Sequence, residues 1–175
     1  MTSKLLTLLP VLAALTGLAA CDQPKWRDKP ASAETAKAKG VTSDAVATPP
    51  APVWSQAMIG KSLREVFPAT GLCKGNTDIV QKVYTGVPAG VQLHGWGWDL
   101  AKKARIERVI LVDKTYRIVG AGEGGVARAD VPTAIPEITD PATGWNADIT
   151  LKSGPLDAYG VTGDNSICVL GHIEF

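Results

Sequence analysis

The sequence predicts a mainly β fold, an antiparallel β-sandwich that is Ig-like or jelly-roll-like, with one or two short helices. Two observations predict it: short runs of β-branched and aromatic residues recur after Trp54, and clusters of Gly, Pro, Asp and Asn separate them. Short strands with frequent turn signals are typical of antiparallel sandwiches and barrels. The predicted strands cover residues 78–84, 91–99, 106–113, 116–121, 147–151, 156–161 and 167–175.

A short helix is predicted near the start of this β-rich part. Ser62 and Glu65 have the spacing of a capping box, in which each side chain accepts a hydrogen bond from the other residue's free backbone N–H. Leu63, Val66 and Phe67 fall on one face of that helix, so this face is expected to pack against the domain.

The glycine-rich run at residues 120–125 is expected to form a flexible hairpin connection. It has no Gly-Lys-Ser/Thr ending and no long helical pattern follows it, although a phosphate-binding loop requires both. Phosphate binding is therefore not expected at this run.

Three segments are predicted along the chain. Residues 54–175 have the size of one domain. Residues 21–53 begin with a cysteine and continue as a stretch rich in Ala, Lys, Pro, Ser and Thr, a composition that buries too little apolar surface to offset the entropy of folding. We expect this segment to be a disordered tether. Residues 1–20 have the features of an export signal: a positive start at Lys4, a short apolar stretch and small residues at the end.

The sequence Leu18-Ala19-Ala20-Cys21 resembles the lipobox of bacterial lipoproteins. The resemblance implies cleavage before Cys21, acylation of that cysteine, and attachment to a lipid bilayer with the domain facing the periplasm; two or three acyl chains give a stable anchor. The alternative is an ordinary export signal whose cleavage site lies next to a cysteine. Asp22 resembles the residue that retains enteric lipoproteins in the inner membrane, and the outer membrane is the alternative.

The charge balance argues against binding to nucleic acid. Residues 1–20 contain one of the 18 basic side chains and none of the 17 acidic ones, so the chain that follows carries 17 of each. A nucleic-acid-binding domain is usually strongly basic. Contact with a membrane is expected to come from lipid and not from net charge.

Cys73 and Cys168 remain once Cys21 is assigned to lipid. An even pair in an exported protein predicts a structural disulfide. In the chain-entropy model, closing a loop of this length stabilises the fold by about 4–5 kcal/mol. Two buried thiols or a redox pair are the alternatives, but there is no Cys-x-x-Cys spacing.

The segment 95–99, Gly-Trp-Gly-Trp-Asp, is the most distinctive in the chain. Because a strand alternates its faces, Trp96 and Trp98 should point the same way as His94. One interpretation is an exposed platform for sugar rings, with His94 and Asp99 bonding to hydroxyls. The other is that both tryptophans supply the core of a domain that has few other large aromatic residues. The glycines leave space on the opposite face for a ring or a neighbouring backbone.

Five short motifs lie between residues 91 and 145, at 95–99, 108–113, 118–120, 128–131 and 144–145. Together they resemble a β-rich module of uncharacterised bacterial envelope proteins linked to cell-surface sugar polymers. Ala129 stands where that module usually has proline. The resemblance implies a sandwich-like accessory module near envelope glycans and no catalytic residue.

Arg128 and Asp130 are expected to have structural roles. Asp130 is a suitable N-cap for a second short helix. Arg128 is expected to pair with Asp113 or Asp99, either as an exposed ion pair or as a buried bidentate pair that fixes the 120–125 loop.

The sequence shows no motif for catalysis, a cofactor or a metal. His94 and His172 are far apart and outside any zinc-ligand spacing. No serine elbow is present, and any folded domain offers carboxylates comparable to those here, at positions 99, 113, 123, 130 and 148. We therefore expect a non-catalytic lipoprotein that binds or organises an envelope polysaccharide or protein. An envelope-glycan hydrolase or a purely structural lipoprotein are the alternatives.

Overall fold

The computed structural model describes residues 42–175, with the backbone alone for residues 42–44. The expected signal segment, Cys21 and the tether as far as residue 41 lie outside the described residues. The helices are a 3-10 helix at Val53–Met58, α1 at Leu63–Val66 and α2 at Asp130–Ala134. The strands are β1 (Thr42–Asp44), β2 (Cys73–Tyr84), β3 (Gly90–Asp99), β4 (Ala104–Arg105), β5 (Arg108–Val112), β6 (Ile118–Val126), β7 (Gly144–Ile149), β8 (Leu156–Val161) and β9 (Ile167–Ile173).

The strands form one sheet that curls nearly into a barrel. Their order is β1-β2-β3-β7-β6-β5-β8-β9, and β4 pairs with β3. Every pairing is antiparallel except that of β1 with β2. β9 returns beside β2, where a disulfide joins Cys73 to Cys168 with their Cα atoms 5.8 Å apart. The predicted mainly β, antiparallel class with short helices and the predicted disulfide are both confirmed.

The interior of the curled sheet holds the main core. Alternate side chains of facing strands point inward and exclude water from one another. The fully buried members include Leu93, Val109, Leu111, Trp145 and Leu156. Opposite walls of the sheet therefore share one apolar interior, as in a sandwich.

A second apolar cluster lies outside the sheet, over β5, β6 and β8. Here the outward side chains Ile110, Val112 and Ile118 are covered by Leu63 and Phe67, which come from α1 and the residue after it. The predicted apolar face of this helix is confirmed.

The predicted capping box does not form. Ser62 occupies the N-cap position, but its side chain makes no capping hydrogen bond. Its backbone carbonyl instead accepts from the N–H groups of Glu65 at 3.1 Å and Val66 at 3.3 Å. The N–H of Glu65, which the Ser62 side chain was expected to cap, is therefore already bonded to backbone.

The chain packs on the domain before the predicted boundary at Trp54. The N–H of Gly86 donates to the carbonyl of Val46 at 3.0 Å, and the N–H of Thr48 donates to that of Pro88 at 2.7 Å. Thr48 is buried. The folded part therefore includes residues that the composition assigns to the tether.

The prediction of a flexible connection at residues 120–125 is wrong. These residues lie inside β6, which pairs with β5 and β7. A Cβ on Gly122 would lie 2.1 Å from the carbonyl oxygen of Asn146, and one on Gly124 would lie 1.9 Å from that of Ile106. The glycines are required for close approach of neighbouring backbone, not for a turn.

Candidate functional site

The Gly-Trp-Gly-Trp segment lies in β3, and its side chains alternate as predicted. Leu93 and its odd-numbered neighbours face the interior, so Gln92, His94, Trp96 and Trp98 share the outer face. The space at Gly95 is filled by the ring of Trp145, which a Cβ there would approach to 2.4 Å. A large ring therefore packs against this glycine, as the sequence suggested.

Trp98 is buried although it lies on the outer face. It packs with Val131 and Ile138 from the segment that contains α2, and only 4% of its surface is exposed. Trp96 is partly buried at the edge of the same small cluster. In this arrangement Trp98 has no face free for a sugar ring, so its packing is that of a core residue.

Asp99 is the last residue of β3, and its side chain bonds to the following turn instead of lying on the outer face. Its side chain is 3% exposed, and its Oδ1 accepts hydrogen bonds from the N–H groups of Ala101 at 2.8 Å and Lys102 at 3.0 Å. This geometry caps the turn after β3. Of the four residues predicted to bind a ligand, only His94 and Trp96 remain partly accessible on one face.

His94 contacts two side chains that were not predicted to lie near it. Its Nδ1 lies 2.7 Å from Oδ1 of Asn146 on β7, and its Nε2 lies 3.4 Å from Nη1 of Arg128. Arginine can only donate, so a neutral His94 with its proton on Nδ1 satisfies both contacts. His94 is therefore held in one orientation.

Arg128 fixes the segment before α2 to the sheet. Its Nε and Nη2 donate to the two carboxylate oxygens of Asp130 at 2.8 Å each, and its Nη1 donates to Asp78 on β2 at 2.5 Å. The hydrogen bonds from Arg128 lower the pKa of Asp130 to about 2, and those to Asp130 raise the pKa of Arg128.

The predicted partners of Arg128 are wrong, because Asp99 and Asp113 cap turns instead. Asp130 is also the first residue of α2 and not its N-cap, which is Ala129. Arg128 and Asp130 pair with each other, and their structural role stays a prediction.

A second polar set continues along the outer face. The Oδ1 of Asp148 accepts from the hydroxyl of Tyr84 at 2.8 Å and from Nε2 of Gln92 at 3.1 Å. Asp148 is two residues after Asn146 on β7, so the two side chains point the same way. Together β3 and β7 carry a continuous polar row on their outer face.

This row borders a cavity of about 300 Å³, here called the outer groove. Pro50 and Pro52 form one wall, and the backbone from Gly122 to Gly124 contributes to the floor. The polar side chains that line it are Glu123, Asn146 and Asp148. Glu123 is exposed, while Asn146 and Asp148 are half-buried.

The outer groove is not among the sites predicted from the sequence. A usable signal was present, because Asn146 and Asp148 alternate with the apolar Trp145, Ala147 and Ile149. Such alternation predicts a polar outer face. The contribution of Glu123 was hidden because its glycine-rich surroundings suggested a loop.

No group of three or more His, Cys, Asp or Glu side chains in residues 42–175 is placed to hold a metal ion. In that same part of the chain, no helix combines the length and the apolar character needed to cross a bilayer. No family model, curated protein or solved structure matches this chain. The likeness of residues 91–145 to the envelope module remains a prediction.

Proposed function

We propose that this chain is a bacterial lipoprotein, anchored through acylated Cys21, whose periplasmic β-domain binds an envelope glycan in the outer groove without catalysing a reaction. The anchor rests on the Leu18-Ala19-Ala20-Cys21 sequence. The binding role rests on one observation: a row of amide, carboxylate and imidazole groups borders a groove with proline on its wall.

The chemistry of the groove suits a sugar. Binding sites for small ligands combine apolar walls with a few fixed polar groups, and their volumes begin at about 300 Å³. Hydroxyl groups both donate and accept, which matches the amide of Asn146 and the carboxylates of Glu123 and Asp148. The balanced charge of the chain gives no reason to prefer a polyanion.

The carboxylates support binding more than hydrolysis. Asp99 and Asp113 cap turns, and Asp130 is paired with Arg128. Glu123 and Asp148 are the two carboxylates that line the outer groove among the described residues. A glycan hydrolase, the alternative function, would have to use this pair as its acid and base.

The binding proposal is tested by sedimentation with insoluble cell-wall sacculi and with isolated surface polysaccharide. The detergent-solubilised full chain should bind saturably, and the E123A/N146A double variant should lose most of that binding while keeping its thermal transition. Glu65→Ala is the matched control, because Glu65 is an exposed glutamate on α1. Equal binding by all three proteins, or none by the wild type, would exclude the groove as the glycan site.

Release of soluble sugar fragments by the wild type, lost in Glu123→Gln and Asp148→Asn, would favour the hydrolase instead.

The lipid anchor is tested separately. The mass of the N-terminal peptide should show acylation of Cys21, and Cys21→Ser should move the chain from the detergent phase to the aqueous phase. An unmodified Cys21 would contradict the lipoprotein assignment.

A further inference from the structure

The end of the barrel where the chain joins β1 carries exposed apolar side chains on several loops. This tether end is formed by the loops at 85–89, 113–117 and 150–155, the C-terminus, and residues 45–48. Val87 is 94% exposed and Tyr116 is 54% exposed. Val46, beside Gly86, and Leu151 are exposed at the same end. Because these side chains are exposed, they contribute little to the core and are free to contact another surface.

An apolar cavity opens at the tether end. It has a volume of about 430 Å³ and lies where β2 and β9, which share no strand pairing among the described residues, leave the barrel open. Val80, Val83, Val91 and Phe175 line it, and Lys152 is also part of its lining. The far end of the same seam is closed by the disulfide.

Two lysines lie on the same loops as Tyr116 and Leu151. Lys114 and Lys152 are exposed and form no ion pair with any described residue. Acidic groups also lie at this end: Asp157 and Glu174 both contact His172, and Asp113 accepts hydrogen bonds from the N–H groups of Thr115 and Arg117. Apolar and aromatic side chains bordered by lysines are typical of surfaces that lie in the headgroup layer of a membrane.

The chain joins the domain at this end. β1 runs beside Lys82–Tyr84, the last residues of β2. Twenty residues, 22–41, separate Cys21 from β1, and even a fully extended chain of that length spans at most about 70 Å. An anchor at Cys21 would keep the tether end within that distance of the bilayer and raise its local concentration there.

We propose that the tether end docks on the surface of the anchoring membrane, with Val87 and Tyr116 in the headgroup layer and Lys114 and Lys152 against anionic lipid. The inference rests on the proposed lipid anchor. It orients the domain, because the outer groove lies along the side of the barrel and stays open to the periplasm while the tether end is covered.

The test places the acylated full chain in nanodiscs containing phosphatidylglycerol. A polarity-sensitive fluorophore is attached in V87C, with A127C as the matched control, since Ala127 is exposed beyond the other end of β6. Lipids with a nitroxide on the acyl chain should quench most of the emission at position 87 and little of it at 127. Equal quenching at both positions, or stronger quenching at 127, would overturn the docking proposal.

Failure of the anchor gives a different result from failure of the docking surface. If the peptide mass shows no acylation, the unacylated full chain is sedimented with phosphatidylglycerol vesicles. Docking then predicts that V87S/L151S lowers the bound fraction and that Ala127→Ser does not. The same bound fraction for both variants would overturn docking whether or not Cys21 carries lipid.

Discussion

The outer side of the sheet differs between its two halves. Over β5, β8 and the start of β6 the outward side chains, such as Ile110 and Val112, are apolar, and α1 with the residue after it covers them. Over β3 and β7 the outward groups include His94, Asn146 and Asp148, and the outer groove lies beside them. The same alternation of strand faces produces both surfaces. The polarity of the outward residues thus decides which half stabilises the fold and which is available for a ligand.

Disrupting the covered half, the apolar cluster beneath α1 and Phe67, should have the largest effect on the free energy of unfolding. Phe67→Ala removes a fully buried ring from the cluster over β5 and β6. Loss of a buried aromatic side chain lowers the free energy of unfolding by about 3–5 kcal/mol. Urea denaturation with the disulfide intact measures the change. Arg64→Ala, at an exposed position of the same helix, should change it by less than about 0.5 kcal/mol. Similar values for both variants would mean that α1 does not stabilise this face.

On the polar half, a smaller loss is expected from Arg128→Ala. Removing the guanidinium leaves the partly buried Asp78 carboxylate without its charged partner. The expected cost is about 1–3 kcal/mol, as for a buried polar group left unsatisfied. Arg128→Lys should recover only part of it, because an ammonium group cannot reproduce the paired bonds to Asp130. Full recovery by lysine would show that charge alone matters here.

The Arg128–Asp130 pair also predicts an acid response. Because the pKa of Asp130 is lowered from 3.8 to about 2, its contribution to stability is present above pH about 3.8 and is lost as the pH falls towards 2. An NMR titration of the carboxyl carbon measures this pKa directly. In Arg128→Ala it should move back towards 3.8. An unchanged value would mean that another group lowers it.

The sequence pattern predicted where the strands lie better than it predicted which strands pair. The strand predicted at residues 156–161 has the observed bounds, and β3 begins one residue before its predicted start. The predicted strand at 116–121 ends five residues before β6 does, because glycine is usually a turn signal. Here Gly122 instead meets the backbone of β7, and Gly124 meets that of Ile106, just before β5. The positions that require glycine cannot be predicted until the strand pairing is known.

The candidate site was predictable only in part. The alternation in β3 placed His94 and Trp96 on one face, but nothing local shows that the α2 segment folds over Trp98. Arg128 was recognised as a pairing group, and its partner Asp78 lies 50 residues away on β2. Ion-pair partners of this kind depend on strand order, which the sequence pattern leaves open.

The smallest effect on stability is expected inside the outer groove. The side chain of Glu123 is exposed and makes no hydrogen bond or ion pair with the other described residues, so Glu123→Ala should change the free energy of unfolding by less than about 0.5 kcal/mol. Its effect should appear in glycan binding instead. A large loss of stability in urea would place Glu123 among the structural residues and remove it from the proposed site.

The central claim is that the polar half of the outer surface binds ligand and the covered half does not. The most direct measurement is an NMR map of backbone amide shifts in the full chain, in detergent, as soluble fragments of sacculi are added. We predict shifts at residues 122–124 and at Asn146 and Asp148, with none at Leu63 or Phe67. Shifts confined to the covered half, or absent from both halves, would contradict it.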